Sequence, residues 1–380
     1  MSLWVSTLLF HLAVAALCVA TLRRWTRRLA GPFGPGRWLR SAAGDLALLV
    51  AATLASAGGA ALLTPSSGFT ALRLLSQALF GEGLLLLLAI ATLHGLRGRK
   101  LAAVALGTFA LALLACYADA YHVEPTELEV RQYAIDLSRG TPRGRVRIVQ
   151  MSDLQANRIG AHEDRAVQTA LAQEPDIIIL TGDYVQPRTG LPPSRAETTA
   201  DLKDLLRRRH FTAPLGVFAV EGDVDRDWPG VLAGTGVTAL SGTVARVSLP
   251  GGRALSIVGL TPPMSRGTDV PDLLSLARSA PAGDLRLVIG HNPNFVQELA
   301  EASAPVDLAL AGHTHGGQVV LPLFGPPITQ MSLPRRYASG LHDYRGIPLH
   351  VSAGIGMERG TAPQIRFLCP PEISVIDVRY

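Results

Sequence analysis

Long apolar runs fill the first third of the chain. Four of them, at residues 3–22, 45–63, 72–94 and 101–118, match the roughly 20 residues that a helix needs to cross a bilayer. A single run of this kind also suits a buried core helix or a signal peptide, but four in succession predict a transmembrane region. Glu82 interrupts the third run between two glycines. An acid in a membrane helix is often functional, whereas the glycines also permit a bend, so both roles stay open.

Beyond residue 122 the pattern changes twice. Residues 123–143 are polar and rich in Pro and Gly, which predicts a connector with one short strand at 127–136. Residues 144–380 alternate short β-branched runs with helical stretches, as an α/β domain does. The predicted organisation is therefore a transmembrane region (1–122), a connector (123–143) and one globular domain (144–380). In that domain we expect helices at 162–173, 196–209 and 292–302, a hairpin with arms at 242–249 and 253–260, and two late strands at 349–356 and 371–379.

Basic residues are concentrated in two of the segments between the apolar runs. After the first run stand Arg23, Arg24, Arg27, Arg28, Arg37 and Arg40, and after the third run stand Arg97, Arg99 and Lys100. Only Arg73 lies near the end of the second run, and no basic residue follows the fourth run before Arg131. Cytoplasmic loops carry the excess of Lys and Arg, so the first and third loops are predicted to be cytoplasmic. The N-terminus and everything after residue 118 are therefore expected outside the cytoplasm.

The composition separates the two halves of this organisation. Of all residues 48% are hydrophobic and 17% are charged, and the formal net charge is +5. Residues 1–122 hold 10 basic and 3 acidic side chains, which leaves 25 basic and 27 acidic side chains in the rest. The globular domain is therefore not basic, and no nucleic-acid partner is expected. Cys18 and Cys116 lie in apolar runs and Cys369 stands alone, so no disulfide framework is predicted.

Five predicted strands of the globular domain end in Asp or His. The strands are at 145–150, 176–180, 216–220, 285–290 and 307–311, and they end in Asp153-Leu154-Gln155, Gly182-Asp183, Gly222-Asp223, His291-Asn292 and Gly312-His313. One such Asp would ordinarily cap a helix. Five ends that supply Asp and His favour one shared metal site, because open α/β sheets bind ligands at the carboxyl edge of the sheet.

The sequence GHTHGGQ, residues 312–318, carries the most specific signal. In an extended segment residues i and i+2 point to the same face, so His313 and His315 are predicted to present two nitrogens to one point. The flanking glycines permit unusual backbone angles and close approach of other groups. A lone His near a strand end is usually a hydrogen-bonded structural residue, whereas this spacing indicates metal ligation.

In this order the motifs resemble those of the calcineurin-like metallophosphoesterase superfamily, whose pattern is D-x-H, G-D, G-N-H-D/E, H and G-H-x-H. The resemblance covers residues 144–380 and looks closest to the membrane-tethered bacterial branch. It implies an α/β fold, more closely an α+β sandwich of two sheets flanked by helices, here preceded by four transmembrane helices. Together with the four apolar runs, which lie outside the match, it indicates a multi-pass protein of the bacterial inner membrane, with the lipid bilayer and a phosphoester substrate as partners.

The resemblance further implies a two-metal centre. Its ligands, carried over by motif, are Asp153, Gln155, Asp183, Asp223, His291, His313 and His315. Asp183 would bridge both ions, Asp153 and His315 would hold the first, and the remaining Asp and His residues would hold the second. Asp183, Asp223 and His291 are also the expected catalytic residues, and Asp225 and Asn292 are expected to support the ligands. Mn²⁺ is the expected metal because oxygen and imidazole ligands are mixed, with Fe and Zn²⁺ as alternatives. Two such cations clamp a phosphoryl oxygen and create the hydroxide that attacks phosphorus.

Three positions depart from the pattern of the superfamily. Gln155 replaces a His and is a weaker donor to a metal. Asp223 replaces an Asn and adds a negative charge. Val224 replaces the His thought to protonate the leaving group, and His342 and His350 are candidates for lining the cleft in its place.

The sequence thus predicts a metal-dependent hydrolase of phosphate esters, acting on a phosphodiester or pyrophosphate in a lipid or envelope-linked substrate. One alternative is the UDP-diacylglucosamine pyrophosphatase of lipid A synthesis, which acts in the cytoplasm and so conflicts with the predicted topology. Another is a degenerate, non-catalytic binding module, which the changes at Gln155 and Val224 would suit. A transporter has only Glu82 in its support, and no oligomeric state is predicted.

Overall fold

The computed structural model describes residues 3–29, 35–62, 67–138, 144–188 and 190–380. The chain forms two compact units, Met1–Tyr121 with Arg359–Gln364, and His122–Glu358 with Ile365–Tyr380. Parts of two predicted segments lie outside the described residues. They are the side chains of Arg28, Arg37 and Arg40 in the first basic segment, and residues 139–143 of the connector.

Helices rich in Leu and Ala, which favour helix formation, make up the described part of the first unit. They are α1 (Leu3–Leu29), α2 (Pro35–Leu62), α3 (Ser67–Ala78), α4 (Leu84–Leu96) and α5 (Lys100–Ala118). A π-helical turn, Leu79–Gly83, joins α3 to α4 and contains Glu82. The Oε1 atom of Glu82 lies 2.7 Å from Nδ1 of His11, so this acid has a polar partner on α1.

Three helices are long and apolar enough to cross a membrane: Val5–Arg27, Gly68–Leu96 and Lys100–Thr126. The prediction of four spanning helices is therefore wrong in its count, within the part of the chain that the structure describes. The second apolar run lies in α2, where the apolar stretch found is the shorter Leu46–Ala60. At 1.5 Å per residue this stretch extends about 22 Å, which is less than the roughly 30 Å of a bilayer's hydrocarbon core.

Two six-stranded sheets form the centre of the second unit. The first contains β1 (Glu129–Asp136), β2 (Arg145–Met151), β3 (Ile177–Leu180), β4 (Val217–Ala219), β5 (Thr238–Ala239) and β12 (Glu372–Arg379), in the order β1-β12-β2-β3-β4-β5. The second contains β6 (Thr243–Ser248), β7 (Ala254–Gly259), β8 (Leu285–Ile289), β9 (Leu308–Ala311), β10 (Gly340–Tyr344) and β11 (Ile347–Val351), in the order β10-β11-β9-β8-β7-β6.

The strands that lead to the candidate site are parallel to their neighbours. β2, β3 and β4 are parallel in the first sheet, and β7, β8 and β9 are parallel in the second. β3 is buried along its whole length, which explains its unbroken apolar sequence IIIL. Such strands deliver the residues that follow them to one edge of each sheet.

Helices cover the outer faces of both sheets. Ile177 and Ile289 belong to an apolar cluster that joins the two sheets. The opposite face of the first sheet packs on α6 (Ala161–Leu171) and α7 (Arg195–Arg208). The second sheet packs on α9 (Val270–Ser279) and α10 (Phe295–Glu301), with a single turn, α8 (Pro262–Ser265), before them. The predicted two-sheet sandwich flanked by helices is confirmed.

Candidate metal centre

The carboxyl ends of five strands carry the residues predicted to bind metal. β2 leads to Asp153 and Gln155, β3 to Asp183, β4 to Asp223, β8 to His291, and β9 to His313 and His315. Two overlapping groups of these side chains have ligand atoms close enough to share an ion. Asp223, His291 and His313 form one group, Asp153, Asp183 and His291 form the other, and within each group the ligand atoms lie within 4.8 Å of one another.

The remaining two predicted ligands lie against the second group. Nε2 of His315 is 3.6 Å from Oδ1 of Asp153. The amide Nε2 of Gln155 donates to Oδ2 of Asp183 at 2.8 Å. The structure therefore brings all the predicted site residues to one place, although Gln155 is oriented here as a donor to a carboxylate.

His291 is fully buried, and its two ring nitrogens have different neighbours. Nδ1 lies 2.8 Å from the carbonyl oxygen of Thr181, whereas Nε2 lies 3.4 Å from Oδ2 of Asp183. A neutral His that donates through Nδ1 presents Nε2 as an electron-pair donor. Burial lowers the pKa of His291, but the surrounding carboxylates, Asp183 foremost, outweigh it and hold that pKa well above its usual range. The negative charge gathered here would equally attract a metal cation.

His313 has the reverse orientation. Its Nε2 lies 3.0 Å from the carbonyl oxygen of Gln330. Its Nδ1 lies 3.1 Å from Oδ2 of Asp223 and 3.3 Å from Nε2 of His291. When both rings are neutral and donate to these carbonyls, two nitrogen lone pairs and a carboxylate oxygen converge, an arrangement that a shared cation stabilises.

His315 shows most directly that these residues fit a metal. It is 2% exposed, and neither ring nitrogen has a hydrogen-bond partner among the residues that the structure describes. Burial lowers the pKa of His315 well below its usual range, and the charge of Arg366 lowers it further, so the ring is neutral. A buried polar atom without a partner costs about 1–3 kcal/mol, and coordination to a cation would remove that cost.

The carboxylate of Asp225 holds two of the metal-binding loops together. Oδ2 accepts hydrogen bonds from the backbone N–H groups of Asp183 at 2.8 Å and Gly222 at 2.7 Å, and Oδ1 accepts from Tyr184 at 2.9 Å. Burial, followed by the charge of Asp183, raises the pKa of Asp225 to about 7. Asp225 thus has the supporting position expected for it. Asn292 supports the chain locally, since its Oδ1 accepts from the N–H of Asn294 at 3.0 Å.

Two glycines of the motifs allow the loops to approach so closely. A Cβ atom on Gly222 would overlap the backbone N and the carboxylate of Asp183. A Cβ atom on Gly312 would overlap Ser152 and the carboxylate of Asp153. Any side chain at either position would displace a predicted ligand.

Five of the predicted ligands have left-handed backbone. Their φ angles are 50° at Asp153, 37° at Gln155, 59° at Asp183, 72° at His313 and 49° at His315. Non-glycine residues seldom adopt this region, and each instance costs on the order of 1–3 kcal/mol. The surrounding packing therefore fixes the backbone in the conformation that aims these side chains at the site.

The extended backbone predicted for His313 and His315 is wrong. β9 ends at Ala311, and His315–Gly317 forms a 3-10 turn. Because both histidines have positive φ, their side chains do not share one face of a strand. His313 meets Asp223, and His315 meets Asp153.

Arg266 is a site residue that sequence reasoning missed. It follows α8, and its guanidinium contacts the carboxylate of Asp223, the exposed member of its group. The motif spacing gives no signal for this Arg, because only the packing of the second sheet against the first brings it to β4. Its charge offsets the negative charge that Asp223 adds.

Two of the residues considered for the acid role cannot supply it. The side chain of Val224 has no ionisable proton, and its backbone N–H donates to Oδ1 of Asp183 at 3.0 Å. His350 is fully buried, and burial lowers its pKa to about 3, so the prediction that it could line the cleft is wrong. His342 is bonded locally, with Nε2 2.8 Å from the carbonyl oxygen of Ser339.

Comparison with known proteins agrees with this geometry. The family model described as calcineurin-like phosphoesterase matches residues 146–317, the segment that holds all the predicted ligands. The chain is 30% identical over 221 residues to phosphodiesterase YaeI of Escherichia coli, and the match covers 56% of this chain and 74% of that protein. The chain belongs to the calcineurin-like phosphoesterase family. This phosphoesterase is also 29% identical over 285 residues to the uncharacterized metallophosphoesterase YkuE of Bacillus subtilis, covering 72% of this chain and 94% of YkuE.

A third relative has a named substrate. The phosphoesterase is 26% identical over 326 residues to UDP-2,3-diacylglucosamine pyrophosphatase LpxG of Chlamydia trachomatis, covering 69% of this chain and 92% of LpxG. The predicted superfamily and reaction class are confirmed by these matches. The protein is a metallophosphoesterase, a hydrolase of phosphate esters, and its grouped Asp and His side chains fit the divalent metals of the family.

Proposed function

We propose that this protein is a membrane-bound phosphodiesterase or pyrophosphatase whose catalytic domain, residues 144–380, works with two divalent ions. The observation that carries the proposal is the convergence of His291 and His313 on Asp223, with the buried ring of His315 beside Asp153. Bound cations would offset the carboxylate charge that is gathered around these imidazoles. The transmembrane region, residues 1–122, and the connector, residues 123–143, would tether this domain.

The ligands divide into two sets. Asp153 and His315 would hold the first ion, with Gln155 beside them, and the 3.6 Å contact between Asp153 and His315 supports this pairing. Asp223, His291 and His313 would hold the second ion. Asp183 would contact both, because its Oδ2 meets Gln155 on one side and His291 on the other. Mixed oxygen and imidazole donors favour Mn²⁺, with Fe and Zn²⁺ as alternatives.

When bound, the ions supply the positive charge that polarises the phosphoryl group and activates water. The residues of the chain orient this chemistry. The carbonyls of Thr181 and Gln330 fix the two rings, and Asp225 fixes the loops. Asp183, Asp223 and His291 are the proposed catalytic residues, and the exposed guanidinium of Arg266 is placed to contact a phosphate oxygen.

The leaving group narrows the substrate class. Val224 supplies no acid, His350 is fully buried, and Nε2 of His342 already lies 2.8 Å from the carbonyl oxygen of Ser339. Esters whose leaving groups tolerate negative charge are therefore favoured, as in aryl diesters and pyrophosphates. The names of two relatives, a phosphodiesterase and a pyrophosphatase, support the same choice. A membrane-bound enzyme would meet such a group in a lipid or envelope-linked substrate.

The proposed location is the bacterial inner membrane, with the catalytic domain outside the cytoplasm. The support is the excess of Arg and Lys after the first and third apolar runs, and this topology requires α2, which is 28 residues long, to cross the membrane together with the three candidate spans. The likeness to LpxG favours a second candidate, hydrolysis of UDP-diacylglucosamine, which places the domain on the cytoplasmic side.

The test is metal analysis of the full-length protein in detergent, combined with a panel of esters. We expect about two ions per chain and turnover of an aryl phosphodiester and a pyrophosphate, with little turnover of an alkyl monoester. Metal binding without turnover of any ester would identify the binding module instead. Preference for UDP-diacylglucosamine over the whole panel would identify the second candidate.

A further inference from the structure

A loop beside the metal centre exposes large apolar side chains that the proposed chemistry does not use. It follows the GHTHGGQ motif and reads VVLPLFGPP, residues 319–327. Leu323 is fully exposed, Phe324 is 55% exposed and Leu321 is 41% exposed. Exposing three such side chains together is unfavourable in water, so contiguous patches of this kind usually mark an interaction site.

A fourth exposed side chain lies against this loop. The N–H of Val320 donates to the carbonyl of Phe367 at 2.9 Å, which places Leu368, 55% exposed, next to the loop. We call Leu321, Leu323, Phe324 and Leu368 the apolar rim. Among the described residues of the second unit, the only other exposed large apolar side chains are Val123 and Leu191.

Cationic side chains accompany the loop that carries three residues of the apolar rim. Arg335 stacks over the ring of Phe324 at 4.2 Å and its Nη1 reaches the carbonyl of Phe324 at 3.4 Å. Arg336 is its exposed neighbour. Residues 308–342 contain no Asp or Glu. Apolar tips flanked by Arg are the chemistry of peripheral contact with anionic lipid, because the guanidinium groups meet phosphate headgroups while the tips enter the acyl region.

The apolar rim is joined to the end of a candidate membrane span. Lys100–Thr126 is long and apolar enough to cross a bilayer, and Glu124 lies at its end. The buried carboxylate of Glu124 accepts hydrogen bonds from the backbone N–H groups of Leu368, at 2.8 Å, and Cys369. The last residues of a spanning helix lie at the membrane interface, so this contact brings Leu368 to the same level.

We propose that the apolar rim inserts into the interface of the lipid bilayer that holds the protein, and so keeps the metal centre at the lipid surface. The proposal rests on the proposed function as a membrane-bound phosphoesterase. The loop that carries the rim runs from the His315 turn to Gln330, whose carbonyl holds the ring of His313. The occupant is lipid rather than a protein because the rim has Arg neighbours and is attached to the end of the span. A phosphoester head group would then reach the centre without leaving the membrane.

Site-specific labelling of the full-length protein tests this contact. Leu323→Cys and, as a matched control, Leu191→Cys would carry a polarity-sensitive fluorophore in nanodiscs of equal parts phosphatidylcholine and phosphatidylglycerol. Leu191 is 56% exposed in the same unit. The parent protein labelled in parallel gives the background from Cys18, Cys116 and Cys369. We expect lipids carrying a nitroxide on the acyl chain to reduce the emission at residue 323 about twofold, and iodide to quench only residue 191.

Iodide quenching of the fluorophore at residue 323, with no effect of the nitroxide lipids, would overturn the proposal. Protection of this fluorophore from both quenchers would also overturn it, because it would indicate that protein covers the rim. For each labelled protein, hydrolysis of a water-soluble aryl phosphodiester is measured on the same preparation. If the preparation cleaves the diester while the fluorophore at residue 323 faces water, the proposed membrane contact of the apolar rim is refuted and the proposed function is not. If the parent neither binds metal nor cleaves the diester, the proposed function is refuted.

A kinetic comparison gives a second, independent measurement. Leu321, Leu323 and Phe324 would be replaced together by Ser in the full-length protein, with Leu191→Ser as the control. For a phosphodiester lipid presented in the same nanodiscs we expect the triple variant to raise KM about tenfold, because three partly buried apolar side chains are lost from the interface. For the soluble diester we expect kcat/KM within about twofold of the parent. Equal KM values on the lipid would contradict the proposal.

Discussion

The guanidinium of Arg266 contacts the carboxylate of Asp223 at the exposed side of the metal-binding group. Asp223 stands where the superfamily motif G-N-H-D/E has a neutral Asn, so this contact offsets an extra negative charge at the exposed side of the centre. The same Asp also lies 3.1 Å from His313. Arg266 and a bound metal ion would therefore share one carboxylate, and each would weaken the hold of the other on it.

We predict that Arg266→Ala tightens metal binding and weakens substrate binding. Loss of the guanidinium leaves Asp223 free to ligate, so the Kd for Mn²⁺ should fall a fewfold, while KM for an anionic diester should rise about tenfold. Titration calorimetry of the full-length protein and initial rates measure the two effects. Arg278→Ala is the control, because Arg278 is exposed on α9 and bonds only the carbonyl of Ala302 among described residues. A variant with unchanged Kd and KM would show that the contact has no role.

Asp183→Asn should cost the most among the proposed ligands. Asp183 would contact both ions, and a neutral amide removes a charge from each site. We expect metal content to fall to less than half of the parent and kcat to fall by about 10³ or more. Elemental analysis and rates on an aryl diester measure this. Asp201→Asn on α7, an exposed position, should change neither. Full occupancy and full activity in Asp183→Asn would refute the ligand assignment.

The rate should depend steeply on the leaving group, because Val224 supplies no acid. General acid help is typically worth 10²–10⁴-fold, and without it the rate follows the pKa of the departing alcohol. A series of diesters with graded leaving-group pKa measures the slope of kcat/KM. We expect a steep slope in the parent and a shallower one in Val224→His. A flat slope in the parent would mean that another acid is already in place.

Arg366 should be essential for the loop behind the first metal site. It is fully buried and donates to the carbonyls of Ala353 at 2.9 Å, Gly354 at 3.1 Å and Cys369 at 2.8 Å. Arg366→Met leaves these carbonyls without donors, which should cost about 3 kcal/mol of local stability.

Thiol labelling of the buried Cys369, followed by mass spectrometry, reports the opening of this loop. For a loss of about 3 kcal/mol in the local stability of this loop, we predict that Cys369 is labelled about 100-fold faster in Arg366→Met than in the parent. Arg345→Ala is the control, because Arg345 is exposed and its contact with Glu301 is 3.6 Å long. Equal labelling rates in Arg366→Met and the parent would contradict the role of Arg366.

A protease added to intact spheroplasts should release the catalytic domain. The prediction follows from the proposed topology, in which the two basic segments are cytoplasmic and α2 crosses the membrane with the three candidate spans. Immunodetection of the released fragment and of a cytoplasmic marker measures the side of cleavage. Cleavage only in inverted vesicles would reverse the topology and favour the UDP-diacylglucosamine activity.

The strands were predictable because their sequences are short runs rich in β-branched residues, bounded by turn residues. The runs at 145–150, 176–180 and 285–290 correspond to β2, β3 and β8 within two residues. The expected helix at 292–302 begins three residues late, at Phe295, because Pro293 and the Asn292 turn precede it. β10 was not predicted, since its sequence GLHDY has neither the apolar content nor the alternation of a typical strand.

The residue types of the site were predictable from the sequence, but the backbone conformation of these residues was not. The order of Asp and His at strand ends located the centre, because parallel strands bring their carboxyl ends together. The direction of each side chain depends on positive φ at residues such as Asp183 and His313, which tertiary packing imposes and local sequence does not. Arg266 was missed for a similar reason, since its approach to Asp223 depends on how the two sheets pack.

The strand β12, which is the latest in sequence among the described residues, lies between β1 and β2, parallel to the first and antiparallel to the second. The first sheet therefore has a gap until residues 372–379 have left the ribosome. Until then β1 and β2 keep unpaired edges, and the domain cannot close. Insertion of β12 is therefore the step that closes the first sheet behind its metal ligands, so a nascent chain that has not yet exposed residues 372–379 should hold no metal.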